Sequence, residues 1–523
     1  MTLPAEDPAA LARGVIGVGF TGTTPETAPL EALRAFGPGA LILFARNVDT
    51  TDELRELVGA LRTIGSPPPL ITVDQEGGRV ERIQHGVAAL PSAMAVGATG
   101  DVGLAEKLGT LLGRDLARLG INVDLAPVAD LSLQPRSIVV ATRAYGDDPE
   151  RVGAFAGAFA HGLERAGVAA TVKHFPGHGS TAEDSHVALP RVTADAETLR
   201  SRDLVPFQRA IADHAASIVI TAHVVIEAFD PDRPATISRN VLTDLLRGEL
   251  GYDGIVATDC LEMDAIAGTI GTVRGAVEAL KAGADLLLIS HKLELAHQAA
   301  DAIAAAVRDG EIPLARLREA HARVQRLRER LAKPPVLPDG VDDAWPLDAA
   351  RRAVTVLRGD PRLRAGKPVT VISFEGTVVD NVAASGGVRK RNDELPSLSS
   401  ALRRRGWKSE VMRVPLEPAA EDIDLLLEHI PALGDREFVI VTRDAHLYAG
   451  QDDAVQRILS LAPDALIVSA RSPYDALLWP QAKRVICIYG GQIISLEGCA
   501  DVISGRAEVR GRLPVRLTTN GAA

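Results

Sequence analysis

Along the first 290 residues, short apolar runs alternate with stretches in which apolar residues recur every three or four positions. The runs predict strands over Gly14–Gly19, Ala40–Ala45, Leu70–Asp74, Asn122–Ala126, Ala169–His174, Ser217–Ala222, Gly254–Asp259 and Asp285–Ser290. Between them, helical spacing marks Asp52–Ile64, Leu104–Leu119, Arg151–Ala166 and Leu204–Ile211. In the second of these, Leu108, Leu111, Leu112 and Leu116 share one face, as a helix with a buried stripe requires. The runs ALILFA and ADLLLI are apolar continuously rather than alternately, the pattern of parallel strands covered on both faces. Eight such units in series predict an α/β fold that begins with a (β/α)8 TIM-type barrel. An open doubly wound sheet would share the pattern, but no glycine-rich nucleotide fingerprint follows the first strand.

Helical patterns at Leu293–Val307 and Leu314–Leu331 end this region, and KPPVLPDG (Lys333–Gly340) reads as a proline-rich linker. A second alternating region has strand candidates at Val369–Phe374, Glu410–Val414, Phe438–Thr442, Ala465–Ser469 and Val485–Tyr489. It predicts a smaller α/β three-layer sandwich. The expected division is a barrel over 1–332, a linker over 333–350 and a sandwich domain over 351–523.

Composition narrows the function classes. A net charge of −11 argues against a nucleic-acid surface. Three cysteines (Cys260, Cys487 and Cys499) are too few and scattered for a disulfide framework or a cysteine zinc site, which fits a reducing compartment. With no basic-then-apolar leader at the start and no segment of spanning length, the expected location is cytoplasmic, with no membrane partner. Aromatic residues make up 3% of the chain, few for stacking on a long polysaccharide, so the expected substrate is small.

In a barrel the site lies at the carboxyl ends of the strands. Here the third strand runs into Asp74-Gln75-Glu76-Gly77-Gly78-Arg79, with Arg82 following. The fourth carries Asp124 and leads to a loop with Arg136 and Arg143. The fifth ends in Lys173-His174, the sixth near His223 and the seventh in Thr258-Asp259. A lone acid at a strand end is commonly a helix cap, whereas charges on successive strands would converge on one mouth. After the fifth strand, Phe175-Pro176-Gly177-His178-Gly179 has the composition of a fixed turn. Asp184 and His186 lie two apart, so an extended segment would point both to one side, as a proton-shuttling histidine needs. A solvated loop with a local ion pair would look the same. Asp259 at a barrel mouth could be a nucleophile, a base or a metal ligand.

LITVDQEGGRVERI, TRAYGDDPERV, VKHFPGHGSTAEDSH and IVATDCLEM occur in the order and approximate spacing of glycoside hydrolase family 3, and the chain resembles its β-N-acetylglucosaminidase branch, enzymes of peptidoglycan recycling. The resemblance covers residues 10–335. The second region is similar, more weakly, to the C-terminal domain of two-domain members, and GRLPVRL (Gly511–Leu517) to their closing segment. The resemblance implies a retaining exo-β-N-acetylglucosaminidase acting on small glycosides of muropeptide or chitobiose type. It implies that Asp259 is the nucleophile, His186 the general acid/base and Asp184 its partner. Asp74, Arg82, Arg143, Lys173 and His174 would hold the sugar hydroxyls. His178 would structure the loop. The chain departs from the family pattern after Arg143, where Ala144-Tyr145 precedes the glycine. No metal and no cofactor is expected, and no sequence pattern sets the oligomeric state.

Other readings carry their own signatures. A phosphorylase could use the same dyad, because a histidine repels incoming phosphate less than a glutamate does. Lys173 could form a Schiff base in an aldolase-like barrel. His174, His178 and His186 could ligate zinc, although their spacing is not that of a simple short-range site. A non-catalytic sugar-binding protein would keep the cleft without the chemistry.

Overall fold

The computed structural model describes residues 7–181, 189–375 and 397–518. Eight parallel strands form the first unit: β1 (Ile16–Gly19), β2 (Ala40–Leu43), β3 (Leu70–Val73), β4 (Val123–Asp124), β5 (Ala169–Phe175), β6 (Ile218–Thr221), β7 (Ile255–Ala257) and β8 (Leu287–Ile289). Each pairs with the next, and β1 pairs with β8. Closure between β7 and β8 comes from a parallel bridge, Ala257 to Leu286, with Thr258 N–H donating to the Leu286 carbonyl at 2.9 Å. This is the expected barrel.

The continuous apolar runs are explained by which way their residues point. Ala40 and Ile42 of β2 pack inside the barrel with Leu70, Val123, Ile220, Ala257 and Leu288. Leu41 and Leu43 point the other way, into the layer shared with the helices. Both faces of β2 are buried, and all four of its residues are apolar. β4 is the shortest strand, and Pro127, which has no N–H to give, follows shortly after it.

The second unit is a six-stranded sheet: β9 (Thr355–Arg358), β10 (Val369–Glu375), β11 (Ser409–Pro415), β12 (Glu437–Thr442), β13 (Leu466–Ser469) and β14 (Arg484–Cys487). Its order is β9-β14-β13-β12-β10-β11, parallel except where β9 runs against β14. Separate apolar clusters cover its two faces, giving the expected three layers. The edge strand β9 was not predicted: three of its four residues are only partly buried, and the buried one is Thr355.

The two units touch through specific polar contacts. Ser92 Oγ donates to the Tyr489 carbonyl at 2.7 Å, and the His446 ring Nε2 lies 2.9 Å from the Pro135 carbonyl. The chain's closing segment returns to the barrel, where Arg512 N–H donates to the Ala98 carbonyl and Arg516 Nε reaches Asp147 at 3.0 Å. Among the described residues, no helix is long and apolar enough to cross a membrane.

Candidate active site

The loop after β3 is shaped by Gln75. Its buried amide donates to the Ile83 carbonyl, while its oxygen accepts from the backbone N–H groups of Arg82 and Ile83. That folds Gln75–Gly77 back on Val80–Glu81 as a small hairpin. Asp74 and Glu76, two residues apart, both meet the Lys173 ammonium, at 2.8 and 2.6 Å. Arg143 grips Glu76 with two parallel bonds, Nε to Oε2 at 2.8 Å and a terminal nitrogen to Oε1 at 2.7 Å, and donates to the Val139 carbonyl at 2.9 Å. Glu76 is thus the hub of a buried network. Burial alone would raise its pKa, but the adjacent Arg143 and Lys173 charges hold it far below the usual carboxylate range. Lys173 and Arg143 are in turn held fully charged by the carboxylates they face, against the effect of burial.

Beneath this network lies Asp124. One oxygen accepts from Gln75 N–H at 3.0 Å, and the other has no hydrogen-bond partner among the described residues. Burial pushes its pKa well up, and the Gln75 N–H and the Lys173 charge pull it down too weakly to compensate.

β5 loses register with β6 between Val172 and Phe175, and the Lys173–His174 peptide is cis. Lys173 faces the β3 carboxylates, while His174 Nδ1 lies 2.6 Å from Asp130 and its Nε2 4.0 Å from Asp259 Oδ2. Asp130 is fully buried and also accepts from the His178 N–H at 2.7 Å. Burial opposes its charge, yet His174 and then His178 keep its pKa low. An ionised Asp130 makes Nδ1 the protonated nitrogen of His174, so Nε2 is the one turned to Asp259. His178 is buried with Nδ1 against the Thr181 hydroxyl at 2.6 Å, and burial pushes its pKa down to about 4. In the turn, Gly177 has φ +131°, and a Cβ on Gly179 would sit 2.0 Å from the Leu131 carbonyl oxygen. No other residue fits there.

Asp259, at the end of β7, is 31% exposed, more open than Asp74 or Glu76. Its Oδ1 accepts from the Cys260 N–H at 2.7 Å, and the Cys260 carbonyl lies 2.9 Å from Nε2 of the buried His223. The cleft between these groups, about 270 Å³, is lined by Asp74, Arg82, Arg143, Lys173, His174 and Asp259 among others. Arg82 stands 3.8 Å from Asp74, with its guanidinium over the Phe44 ring. All six described candidates therefore share one cavity. Asp184 and His186 lie outside the described residues. Arg136 does not line the cleft.

Two residues of the site went unassigned from sequence. Glu76 had a signal, its two-residue offset from Asp74. Asp130 had none, being one acid in a long loop, 44 positions from the histidine it orients. The departure at Ala144-Tyr145 has a structural answer, because Tyr145 is buried and stacks on Phe155 while Arg143 is fixed by Glu76. Cys260, Glu262 and His291 bring three possible ligand atoms within 4.8 Å of one another, but Arg46 already reaches His291 Nδ1 at 3.3 Å and answers the Glu262 charge.

Residues 18–327 match the glycosyl hydrolase family 3 N-terminal domain. A β-hexosaminidase of Pseudomonas aeruginosa is 43% identical over 277 residues, 53% of this chain and 81% of that protein. One from Xylella fastidiosa is 40% identical over 294 residues, 55% and 86% respectively. A solved family 3 β-N-acetylglucosaminidase from Paenibacillus sp. str. FPU-7 superposes with a TM-score of 0.89 at 34% identity, covering 98% of this chain and 99% of that one, so the likeness runs through both units. By that domain match, spread over the whole barrel and its mouth, this chain belongs to glycosyl hydrolase family 3.

Proposed function

We propose that the chain is a retaining exo-β-N-acetylhexosaminidase that removes terminal N-acetylglucosamine from small glycosides such as muropeptides or chitobiose. Its support begins with the β-hexosaminidase relatives. The observation that carries it is the convergence of Asp259 on a cleft whose floor is the Lys173–Asp74–Glu76–Arg143 network. Asp259 attacks the anomeric carbon as the leaving oxygen takes a proton from His186, giving a glycosyl ester on Asp259. His186 then accepts a proton from water, which attacks the same carbon and releases Asp259. Asp184 orients His186 and stabilises its charged form. Asp74 and His174 Nε2 accept from sugar hydroxyls, while Lys173, Arg82 and Arg143 donate to them. His174 Nε2, turned towards Asp259, is suited to accept from a hydroxyl beside the reacting carbon.

The test is mass spectrometry after exposure to a slow 5-fluoro N-acetylglucosaminyl donor. A glycosyl adduct on the peptide containing Asp259 is expected, and an adduct elsewhere would overturn the assignment. Asp259→Asn should lower kcat/KM on an aryl N-acetylglucosaminide by at least about 10³-fold, because a covalent route loses its nucleophile. Running the reaction with inorganic phosphate identifies the acceptor: free sugar is expected, and sugar 1-phosphate would replace hydrolysis by phosphorolysis.

A further inference from the structure

Asp130, which orients His174, sits on the long loop after β4, whose regular structure is one short helical turn, Ala141–Arg143. A loop holds a side chain in place only where something else pins it. Here its two limbs are tied to each other: Ser132 N–H, two residues beyond Asp130, donates to the Gly146 carbonyl at 2.8 Å. The outgoing limb also reaches the turn after β5, where Leu133 N–H donates to the Gly179 carbonyl at 3.3 Å. The returning limb is held from outside the barrel, by the closing segment of the chain as it arrives from the second unit. Asp147 N–H donates to the Pro514 carbonyl at 3.2 Å. Asp147 Oδ2 in turn accepts twice from Arg516, from its N–H at 2.9 Å and from its Nε at 3.0 Å. The Asp147 side chain is only 10% exposed, so water competes little for these bonds. Val515, between the two contacts, is buried in one apolar cluster with Met94 and Ala98 of the barrel and Tyr489 of the second unit. The backbones lie close enough that a Cβ on Gly146 would stand 2.5 Å from the Pro514 carbonyl oxygen.

We propose that Asp147 is a positioning residue for catalysis: through it the closing segment of the second unit sets the loop after β4, and with it Asp130 and the His174 ring. The proposal rests on the hexosaminidase reading above. The path is short and continuous, from Pro514 and Arg516 to Asp147, from Gly146 to Ser132, and from Asp130 to His174 Nδ1 at 2.6 Å. A ring displaced at Nδ1 carries its Nε2 away from the place beside Asp259 where the reaction occurs. Arg143, on the same loop, keeps its two bonds to Glu76 whatever happens at Asp147. The sugar-holding network therefore stays in place, and the loss falls on kcat more than on KM.

The test uses the full chain and an aryl N-acetylglucosaminide. Asp147→Ala should lower kcat about tenfold, less than the roughly 10²-fold that a misplacement of about 1 Å can cost, because His178 N–H still holds Asp130. Asp147→Asn keeps an acceptor for Arg516 N–H and should stay within about threefold of the wild type. A double-mutant cycle separates positioning from a loss of folded protein. With Asp130 already changed to Asn, Asp147→Ala should cost no more than about twofold, whereas a smaller folded fraction would cost the same tenfold in both backgrounds. A full tenfold loss in the Asp130→Asn background overturns the proposal, and so does wild-type kcat in Asp147→Ala. Should Asp147→Ala fail to fold, Arg516→Pro takes its place in the same cycle. It removes both donors to Asp147 and leaves the barrel's own residues intact. No turnover by the wild type overturns the activity reading and takes the positioning role with it, an outcome distinct from a wild type and variant that turn over alike.

Discussion

Two buried carboxylates sit at opposite ends of the same barrel, each gripped by cations. At the carboxyl end, Glu76 is held by Arg143 and Lys173. At the amino end, just before β8, Asp285 is fully buried against Arg247, Arg316 and Arg323. Asp285 also accepts from the Val256 N–H at 3.0 Å, tying the β7–β8 seam where the barrel closes. Arg247 donates to the carbonyls of Tyr252 and Gly254, at the entry to β7. By residue type the two hubs are nearly interchangeable. What separates them is strand polarity: Glu76 opens through Lys173 and Asp74 onto the cleft, whereas the arginines around Asp285 spend their other bonds on backbone carbonyls and on Asp253 and Glu319. Buried charge marks a place where the chain has met a desolvation cost, and only the end of the barrel distinguishes chemistry from closure.

The largest expected break in that comparison is Glu76→Gln. The isosteric amide leaves Lys173 and Arg143 short of a negative partner, so kcat/KM should fall by about 10²-fold or more through misplaced sugar ligands. Stability should fall with it, by about 3–5 kcal/mol, the usual cost of breaking a buried pair. Asp285→Asn should cost a similar amount in urea-induced unfolding yet leave kcat/KM within about twofold, measured well below the unfolding temperature. Loss of activity in Asp285→Asn while the protein is still folded would erase the distinction between the two ends.

Acid should sharpen the same contrast. His178 is held neutral by burial, with a pKa of about 4 against an ordinary value near 6.5. Between those values the unfolded chain binds the proton and the folded chain does not, so stability falls as pH drops from about 6.5 to 4. Below that range Glu76 takes over. Its depressed pKa contributes stability that is complete above the unfolded value, about 4.5, and is lost as pH falls further. Urea midpoints at pH 7, 5 and 4 should decline in the wild type, and His178→Asn should flatten the first part of that decline. Equal slopes in the two proteins would show that the ring titrates as it does in water.

Most of the barrel was legible because its signal is local: a covered parallel strand is an apolar run wherever it occurs. Asp74, Lys173, His174 and Asp259 were legible for the same reason, each abutting such a run. Arg82 and Arg143 stood out as charges in the loops after β3 and β4, but their roles came only through the family motifs, since nothing about a loop arginine tells which carboxylate it will meet. Asp130 was missed because its role consists of contacts 44 and 48 positions away. The join between the units was the least legible part. His446 meets the Pro135 carbonyl across 311 positions, and neither neighbourhood carries a pattern that points to the other.

That contact yields the smallest predicted effect, and it titrates in the opposite sense. His446 Nδ1 faces Asp475 at 2.9 Å and its Nε2 faces the Pro135 carbonyl at 2.9 Å, so both ring nitrogens meet acceptors and the imidazolium satisfies both. Burial alone would lower its pKa, but the Asp475 bond and charge, with Asp444 beyond, raise it. A raised histidine pKa contributes stability that is complete below the unfolded value, near 6.5, and is lost as pH rises through the folded one. The loop that starts at Pro135 carries Arg143, so loosening the contact frees the loop at a distance from its grip on Glu76. His446→Gln keeps one donor for the carbonyl and removes the titration. It should change kcat/KM by no more than about threefold, because Arg143 remains anchored by two bonds of its own. The decline in unfolding midpoint between pH 6 and 9 should be steeper in the wild type than in this variant. If the two declines coincide, the second unit does not grip the barrel through a charged His446, and the alkaline sensitivity belongs to the barrel alone.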